Sequence, residues 1–330
     1  MKLASYKSGR DGQLMIVDRG LQRCCPAGDL APTMQTALDD WSNIAPRLQE
    51  RYEHLCEGTL DASSAFEPGK CAAPLPRSYH WADGSAYVTH VELVRKARGA
   101  DMPTSFWEDP LVYMGASDAF IGPEDPVTAE SEDWGIDFEG EVVVVTDDVA
   151  AGTTADEAAK HIKLLGIVND VSLRNLIPGE LAKQFGFYQS KPWTAFAPVF
   201  VTPDELGTAW DGARLHLPLR ATLNGELIGA PNAGQDMTFD FPTLIAHCAK
   251  SRSLISGTVI GSGTVSNVGS KDGSCCLAEV RCLETLRDGK PSTPFMSFGD
   301  RIHIEMLDGE GASVFGAIDQ QIRPFERSTV

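Results

Sequence analysis

Glu139 and Glu141 are the residues whose types and spacing most clearly allow chemistry. They belong to the segment Asp137-Phe-Glu139-Gly-Glu141-Val-Val-Val-Val145. Alternate residues of a β-strand share a face, so the two carboxylates would project the same way, about 7 Å apart. Because apolar residues occupy both faces, the strand is predicted to be buried, where two like charges are costly unless protonated or bound to a cation. The alternative is that the strand begins in solvent and both glutamates are exposed.

Two aspartates and a histidine extend this set of candidates. Asp83 precedes His90 by seven residues, and Asp170 ends the apolar segment that begins at Leu164. Carboxylate oxygens are the ligands that Mg²⁺ and Ca²⁺ prefer, and histidine readily exchanges protons near neutral pH. Each residue alone also has an ordinary explanation, since strand-terminal aspartates often cap turns and single histidines are often structural.

The standard short catalytic motifs are missing from the sequence. Gly261-Ser-Gly263-Thr-Val-Ser266 has two of the three glycines of a dinucleotide loop, but no strand-helix-strand unit follows. The sequence contains no Walker loop, HExxH, GxSxG or EF-hand loop. Common phosphate-binding and hydrolase motifs are therefore excluded in their standard forms.

Residues 1–77 are predicted to form a small N-terminal domain. Residues 2–6 and 14–18 alternate around a glycine-rich turn, which predicts a hairpin. Apolar residues then recur at helical spacing from Thr33 to Leu55, and Pro46 is expected to kink or interrupt this helix. Residues 57–77, rich in small residues and proline, are predicted to be a linker.

Residues 78–330 are predicted to form a second, β-rich domain, which gives an α+β, β-rich fold. Thr154 with Glu157 predicts a capped short helix, Asp240 a second helix start, and Asn224-Gly225 a hairpin turn. Loops rather than regular crossover helices separate the strands, which argues against a doubly wound sheet. The predicted strands are 111–114, 138–146, 162–170, 198–202, 215–223, 276–286 and 301–307.

Composition limits the partners and the compartment. The formal net charge of -18 argues against nucleic acid, whose binding requires clustered Lys and Arg. The N-terminus has no apolar signal region, and no segment approaches the roughly 20 apolar residues that span a membrane. The eight cysteines include no CxxC pair. A cytoplasmic protein without membrane or nucleic-acid partners is expected.

Taken in order, these segments resemble the fumarylacetoacetate hydrolase family from about residue 78 to residue 325. The resemblance implies a mixed β-sandwich or roll of the fumarylacetoacetase C-terminal type, with a small N-terminal domain, assembled as a homodimer. It assigns metal ligands to Asp83, Glu139, Glu141 and Asp170, and catalysis to His90, Glu279 and Lys191. It assigns substrate contacts to Tyr113, Arg174, Thr264 and an arginine near Arg95 or Arg98, with Arg98 taken as the contact. One departure is the segment Asn175-Leu-Ile177-Pro after Arg174, where hydrolytic relatives often carry a glutamine.

The resemblance implies a metal-dependent hydrolase that cleaves a carbon–carbon bond in a β-diketo acid of aromatic or tyrosine catabolism, with fumarylacetoacetate as the first candidate. Mg²⁺ or Ca²⁺ is the expected ion, and Mn²⁺ is possible. His90, oriented by Glu279, would activate water, and Lys191 would stabilise the oxyanion. The alternatives are an acylpyruvate hydrolase, an oxaloacetate-type decarboxylase, or a non-catalytic metal-binding module.

Overall fold

The computed structural model describes residues 1–97, 99, 101–269 and 271–325. The predicted N-terminal hairpin is present, because the first two strands pair antiparallel from Lys2↔Val17 to Tyr6↔Gln13. The predicted linker also contains a short strand, which pairs with the third strand. The elements of this region are β1 (Lys2–Tyr6), β2 (Gln13–Val17), β3 (Arg23–Pro26), α1 (Met34–Asp39), α2 (Trp41–Glu57) and β4 (Ser64–Ala65).

The helix predicted from Thr33 onward is divided into α1 and α2, and the predicted position of the break is wrong. The helical path stops at Asp40, whose φ of -130° and ψ of 41° are not helical. Pro46 lies inside α2, which runs on to Glu57 and ends at Gly58 with φ 74°. A proline in this position removes one backbone hydrogen bond. The buried face of α2 keeps the helix against the rest of the fold despite that loss.

The remainder of the chain is rich in strands, as predicted. In the described residues, short 3₁₀ segments cover Pro68–Lys70, Thr104–Trp107, Glu132–Trp134, Ala159–His161 and Pro203–Ala209, the last of which is interrupted at Gly207. The other elements are β5 (Trp81–Gly84), α3 (Val88–Ala97), β6 (Val112–Met114), β7 (Val127–Ala129), β8 (Ile136–Asp137), β9 (Gly140–Thr146), α4 (Ala155–Ala158), β10 (Ile162–Asn169), β11 (Ser172–Leu173), α5 (Ile177–Leu181), β12 (Ala195–Phe196), β13 (Phe200–Val201), β14 (Leu219–Leu223), β15 (Glu226–Gly229), α6 (Phe241–Cys248), β16 (Val259–Gly261), α7 (Leu277–Asp288), β17 (Arg301–Met306) and β18 (Ile318–Pro324).

One large mixed sheet runs through the described chain. Its strand order is β4-β3-β2-β1-β13-β10-β9-β16-β5-β6, and β12 also pairs with β10. The N-terminal strands join it through β1 and β13, and β16 pairs parallel with β5. A second sheet has the order β15-β14-β17-β18-β7, and β8 pairs with β11. The fold is thus α+β and rich in sheet, as the sequence predicts.

Strand β9 is buried on both faces, as its apolar sequence predicts. Val142 and Val144 belong to the larger apolar cluster, together with residues of β14, β17 and β18. Val143 and Val145 belong to a second cluster, which contains residues of α1 and α2. The strand therefore lies in the middle layer of the molecule, and any charge on it is enclosed by protein.

Three turn and cap predictions are confirmed, and one strand prediction is wrong. Thr154 and Glu157 form the capping box of α4, and Asp240 caps α6. Asn224 and Gly225 have φ of 51° and 86° and form the turn between β14 and β15. The predicted strand at 276–286 is helix α7, because its ends are capped by Cys276 and by Gly289 with φ 81°.

None of the helices in the described regions combines the length and the apolar character needed to cross a membrane.

Gly166, in the middle of β10, is predicted to be intolerant of alanine. A Cβ there would lie 2.6 Å from Cδ1 and Cε1 of Phe200, a buried ring that cannot move without displacing core neighbours. Gly166→Ala should lower the free energy of unfolding by about 1–3 kcal/mol, measured by chemical denaturation. Gly28→Ala, at an exposed glycine with open space, is the control and should be near neutral. Equal stability of the two variants would contradict this packing.

Candidate functional site

Three buried carboxylates converge at one end of the central strands. Asp83 lies on β5, Glu141 on β9, and Asp170 directly after β10. One carboxylate oxygen from each residue lies within 4.8 Å of those of the other two. All three side chains are buried, Asp83 being 5% exposed and the others 0%. Three of the four predicted metal ligands are therefore within reach of one ion.

Two glycines make room for this cluster. β16 lies between β9 and β5, and its Gly261 is opposite Asp83. A Cβ at Gly261 would lie 2.3 Å from Asp83 Oδ1. Gly263 follows with φ 73°, and its N–H donates to Asp83 Oδ1 at 3.2 Å. The glycine-rich turn that only partly matched a dinucleotide loop thus holds the first aspartate in place.

The electrostatics of the three carboxylates favour a cation. Neither oxygen of Glu141 accepts a hydrogen bond from the described residues, although both are buried. Burial, and then the neighbouring carboxylates, raise the pKa of Asp83 and of Glu141 well above the ordinary range. A buried polar atom without a partner carries a large desolvation cost. Because every donor atom is a carboxylate oxygen, the set fits a hard divalent cation.

The fourth predicted ligand, Glu139, is bound by two cationic side chains. Lys191 Nζ lies 2.5 Å from Glu139 Oε2, and Arg174 Nη2 lies 2.7 Å from Glu139 Oε1. Burial would raise the pKa of Glu139, but Arg174 and Lys191 outweigh it, and the net pKa is lowered. Glu139 is therefore anionic and already neutralised by protein.

Lys191 links Glu139 to the cluster of three carboxylates. Its ammonium also lies 2.6 Å from Asp170 Oδ2, and the side chain is only 7% exposed. Burial acts to lower the pKa of Lys191, but Asp170 and Glu139 outweigh this effect and raise it. The structure thus places a protonated lysine at the predicted position, inside the site rather than on the surface.

Two neutral hydroxyl groups complete the surroundings of Asp170. Tyr113 on β6 donates to Asp170 Oδ2 at 2.5 Å, and Thr194 donates to Oδ1 at 2.7 Å. Tyr113 was predicted as a substrate contact, and its ring also meets Phe187 edge-on at 5.3 Å. Thr194 was not predicted as a site residue. Its only sequence signal is its position three residues after Lys191.

Glu180 organises the segment that carries Lys191, and no motif in the sequence indicates this role. Its carboxylate accepts backbone N–H groups of Tyr188, Gln189 and Ser190 and also the Ser190 hydroxyl. Burial would raise the pKa of Glu180, but these hydrogen bonds outweigh it and lower the pKa. The lysine therefore follows a loop that is fixed by a buried anion.

His90 and Glu279 form the predicted pair. His90, on α3, has its Nδ1 2.6 Å from Glu279 Oε2, and the Glu279 side chain is 1% exposed. Ser274 donates to the other oxygen of Glu279 at 3.1 Å. Burial would raise the pKa of Glu279, but the contact with His90 and the hydrogen bond from Ser274 outweigh it and lower the pKa. A carboxylate that binds Nδ1 leaves Nε2 for proton transfer.

The structure describes two of the three remaining residues that were considered as substrate contacts. Thr264 is buried in the turn directly after Gly263. Arg98 lies outside the described residues. Arg95, the other arginine considered there, donates to the Asp101 carbonyl at 2.7 Å and stacks over Phe106.

Comparison with family models accounts for nearly the whole chain. Residues 79–323 match the model described as fumarylacetoacetate (FAA) hydrolase C-terminal. Residues 1–77 match the model described as fumarylacetoacetase N-terminal domain 2.

Among curated proteins, the chain is similar to the oxaloacetate tautomerase YisK of Bacillus subtilis, with 30% identity over 188 residues. This match covers 56% of the chain and 58% of YisK, so the chain spans little more than half of that relative. An uncharacterized protein of Archaeoglobus fulgidus is 28% identical over 220 residues, covering 66% of the chain and 81% of that protein.

Solved structures share the fold. The maleylpyruvate hydrolase of Sphingobium sp. SYK-6, in complex with manganese (II) ion and pyruvate, superposes with a TM-score of 0.64 at 15% identity. The comparison covers 99% of the chain and 100% of that structure. The fumarylacetoacetate hydrolase of Exiguobacterium antarcticum gives a TM-score of 0.65 at 19% identity, covering 98% and 100%.

Glu141→Gln is predicted to move cation affinity and intrinsic stability in opposite directions. Loss of the ligand charge should weaken Mn²⁺ binding by more than about tenfold, measured by isothermal titration calorimetry. With chelator present, the same change removes a carboxyl whose ionisation is disfavoured by burial and by the neighbouring carboxylates, so it should raise the melting temperature. Glu226→Gln, at an exposed strand position, is the control and should change neither quantity. Wild-type Mn²⁺ affinity in Glu141→Gln would refute the cation site.

Proposed function

The chain belongs to the fumarylacetoacetate hydrolase family, and on that premise we propose that it is a metal-dependent enzyme that hydrolyses a carbon–carbon bond in a β-diketo acid. The observation that carries the proposal is the presence of a buried carboxylate cluster together with a histidine–carboxylate pair. The first element is suited to a divalent cation, and the second to proton transfer. A non-catalytic metal-binding module would require only the first.

Asp83, Glu141 and Asp170 would hold the cation, and Glu139 stays a predicted ligand. When bound, a divalent cation supplies Lewis-acid chemistry, which polarises carbonyl oxygens and stabilises negative charge on them. Mg²⁺ or Ca²⁺ is the proposed ion, because all donors are carboxylate oxygens. Mn²⁺ is an alternative, supported by its presence in the Sphingobium hydrolase structure.

His90 would act as the general base. Because Glu279 binds Nδ1, the imidazole is held in the tautomer that presents an unprotonated Nε2. Nε2 would take a proton from water as the water oxygen attacks a substrate carbonyl, and would later return it to the departing carbon. Glu279 stays ionised through this cycle, which agrees with its lowered pKa.

The cationic side of the site would stabilise and orient the substrate. Lys191 is protonated and buried, so its charge acts at short range on an oxyanion in a medium of low polarity. Tyr113, Arg174 and Thr264 are proposed substrate contacts, and Arg98 is the proposed contact for a distal carboxylate. Fumarylacetoacetate, an intermediate of aromatic amino acid breakdown, is the first substrate to test.

Oxaloacetate tautomerisation is the second candidate function. It is supported by the similarity to YisK, and several further relatives named oxaloacetate tautomerase are 26–27% identical to the chain. Keto–enol exchange needs a base and an acid near an enolisable carbon, but no attacking water. Product analysis separates the candidates, because hydrolysis yields two fragments whereas tautomerisation leaves the carbon skeleton intact.

A homodimer is also proposed, with its interface next to this site. Phe185 is 100% exposed and Tyr188 is 88% exposed, in the loop that precedes Lys191. Beside them is a cavity of about 600 Å³ lined in part by Phe187, Trp193 and Lys191. Large exposed aromatic side chains grouped on one surface are typical of protein interfaces. A second copy would bury them and enclose the loop that Glu180 organises.

His90→Gln and Glu279→Gln test the proton-transfer role. His90→Gln should lower kcat by about 10²–10⁴-fold on whichever of fumarylacetoacetate, acylpyruvates or oxaloacetate the enzyme turns over, because it removes the base. Neither change removes a carboxylate of the cluster, so Mn²⁺ affinity should stay near the wild-type value. His54→Gln, at an exposed helix position, is the matched control. Wild-type turnover by His90→Gln would eliminate the proposed mechanism.

The double change Phe185→Ser and Tyr188→Ser should convert the dimer to a monomer. Removal of both aromatic rings deletes apolar area that the interface would bury, so association weakens. Sedimentation velocity on the purified protein measures the outcome. Leu227→Ser, which alters an exposed apolar residue on a distant hairpin, should remain dimeric. A wild-type protein that sediments as a monomer would end the proposal.

A further inference from the structure

Asp137 makes contacts that the roles described so far do not use. Its side chain is completely buried, and both of its oxygens are occupied. Oδ1 accepts the backbone N–H of Leu277 at 2.8 Å, and Oδ2 accepts the N–H of Ala278 at 2.9 Å. Arg174 Nε also donates to Oδ2 at 2.8 Å. One carboxylate therefore binds three donors from two distant parts of the chain.

The first two donors belong to the start of α7, which carries Glu279. Leu277 and Ala278 are the first two residues of this helix, and Glu279 is the third. The first N–H groups of a helix have no partner within the helix, so an external carboxylate fixes the position of that helix end. Glu279 follows directly in the helix and binds His90, so the anchored helix end leads through one side chain to the histidine.

The third donor connects Asp137 to the carboxylate cluster. The same guanidinium that binds Asp137 lies 2.7 Å from Glu139 through its other nitrogen. Glu139 in turn contacts Lys191, and Lys191 contacts Asp170. A continuous series of contacts thus joins α7, which carries Glu279, to the buried carboxylate cluster. Asp137 contacts both α7 and Arg174, so it connects the two ends of this series.

We propose that Asp137 is a positioning residue that sets Glu279, and through it His90, relative to the buried carboxylate cluster. The side chain contacts neither the reacting groups nor the three carboxylates, so it acts through α7 and Arg174. The effect of Asp137 on turnover rests on the proposed function, whereas its effect on the geometry of the His90–Glu279 contact does not. A role limited to folding would lower stability without altering that contact in the folded protein.

The test compares Asp137→Asn with Asp133→Asn, which removes the same charge at an exposed site four residues earlier. An amide has one oxygen acceptor and two N–H donors, so it cannot accept all three hydrogen bonds of the carboxylate. The readout is the nitrogen chemical shifts of His90 in ¹⁵N-histidine-labelled protein, assigned with His90→Gln. Glu279→Ala, which removes the acceptor altogether, supplies the reference shifts of a broken pair. Asp137→Asn is expected to move the His90 shifts toward that reference, whereas Asp133→Asn leaves them unchanged.

Turnover and Mn²⁺ binding complete the experiment. Asp137→Asn is expected to lower kcat at least tenfold while Mn²⁺ affinity stays within threefold of the wild-type value. Wild-type His90 shifts in folded Asp137→Asn overturn the proposal, as do equal changes in Asp133→Asn. A wild-type enzyme without turnover on any tested substrate counts against the proposed function, and the chemical shifts still decide the role of Asp137.

A second variant covers the case in which Asp137→Asn does not fold. Ala278→Pro deletes one of the three donors and leaves Asp137 itself intact, and proline is tolerated in the first turn of a helix. It is expected to move the His90 shifts in the same direction as Glu279→Ala. Unchanged shifts in folded Ala278→Pro, together with wild-type kcat, overturn the proposal.

Discussion

The enclosure of several like charges within one sheet is the constraint on which the rest of the structure depends. Asp83, Glu141 and Asp170 are buried close together, and Glu139 lies beside them. Such a group is stable only if cations or donors compensate each carboxylate. Lys191 and Arg174 neutralise Glu139, whereas Glu141 receives no hydrogen bond from the described chain. The protein has thus supplied counter-charges for one side of the cluster and left the other for a ligand.

This constraint explains features of the fold that otherwise look unrelated. β9 has to be central and covered on both faces, because an edge strand would hydrate its glutamates. β16, between β9 and β5, needs Gly261 where a side chain would collide with Asp83. The loop before Lys191 needs the buried anchor Glu180. Burial of the lysine side chain costs conformational entropy, and a loop that is already ordered lowers the further cost of placing Lys191 in the site. Each of these features keeps a charged side chain in the interior, where water does not hydrate it.

Sequence reasoning could identify the parts of this arrangement that are encoded locally. The apolar residues on both faces of β9 predicted its burial, and Asn224-Gly225 predicted the turn between β14 and β15, because both signals lie within a few residues. α7 was predicted as a strand, although Leu277, Val280 and Leu283 recur at helical spacing and Gly289 follows at the C-cap; only its N-terminal contact with Asp137, 140 residues away, leaves no local signal. Thr194 and Glu180 were missed because only the folded loops bring Thr194 to Asp170 and Glu180 to the backbone of residues 188–190. Glu139 was identified as a functional residue, but its contacts with the cationic side chains of Arg174 and Lys191 are visible only in three dimensions.

The distribution of counter-charges also bears on how the two halves of the site depend on each other. A cation at Asp83, Glu141 and Asp170 would lower the repulsion felt by Asp170, which Lys191 now partly compensates. The ammonium would then be bound less tightly by Asp170 and be more available to an anionic substrate oxygen. Arg174 stays committed to Asp137 and Glu139, so it resists the same redistribution. Lys191 would therefore be the adaptable cation of the site and Arg174 the fixed one, which would suit the proposed hydrolysis, in which negative charge develops at only one position.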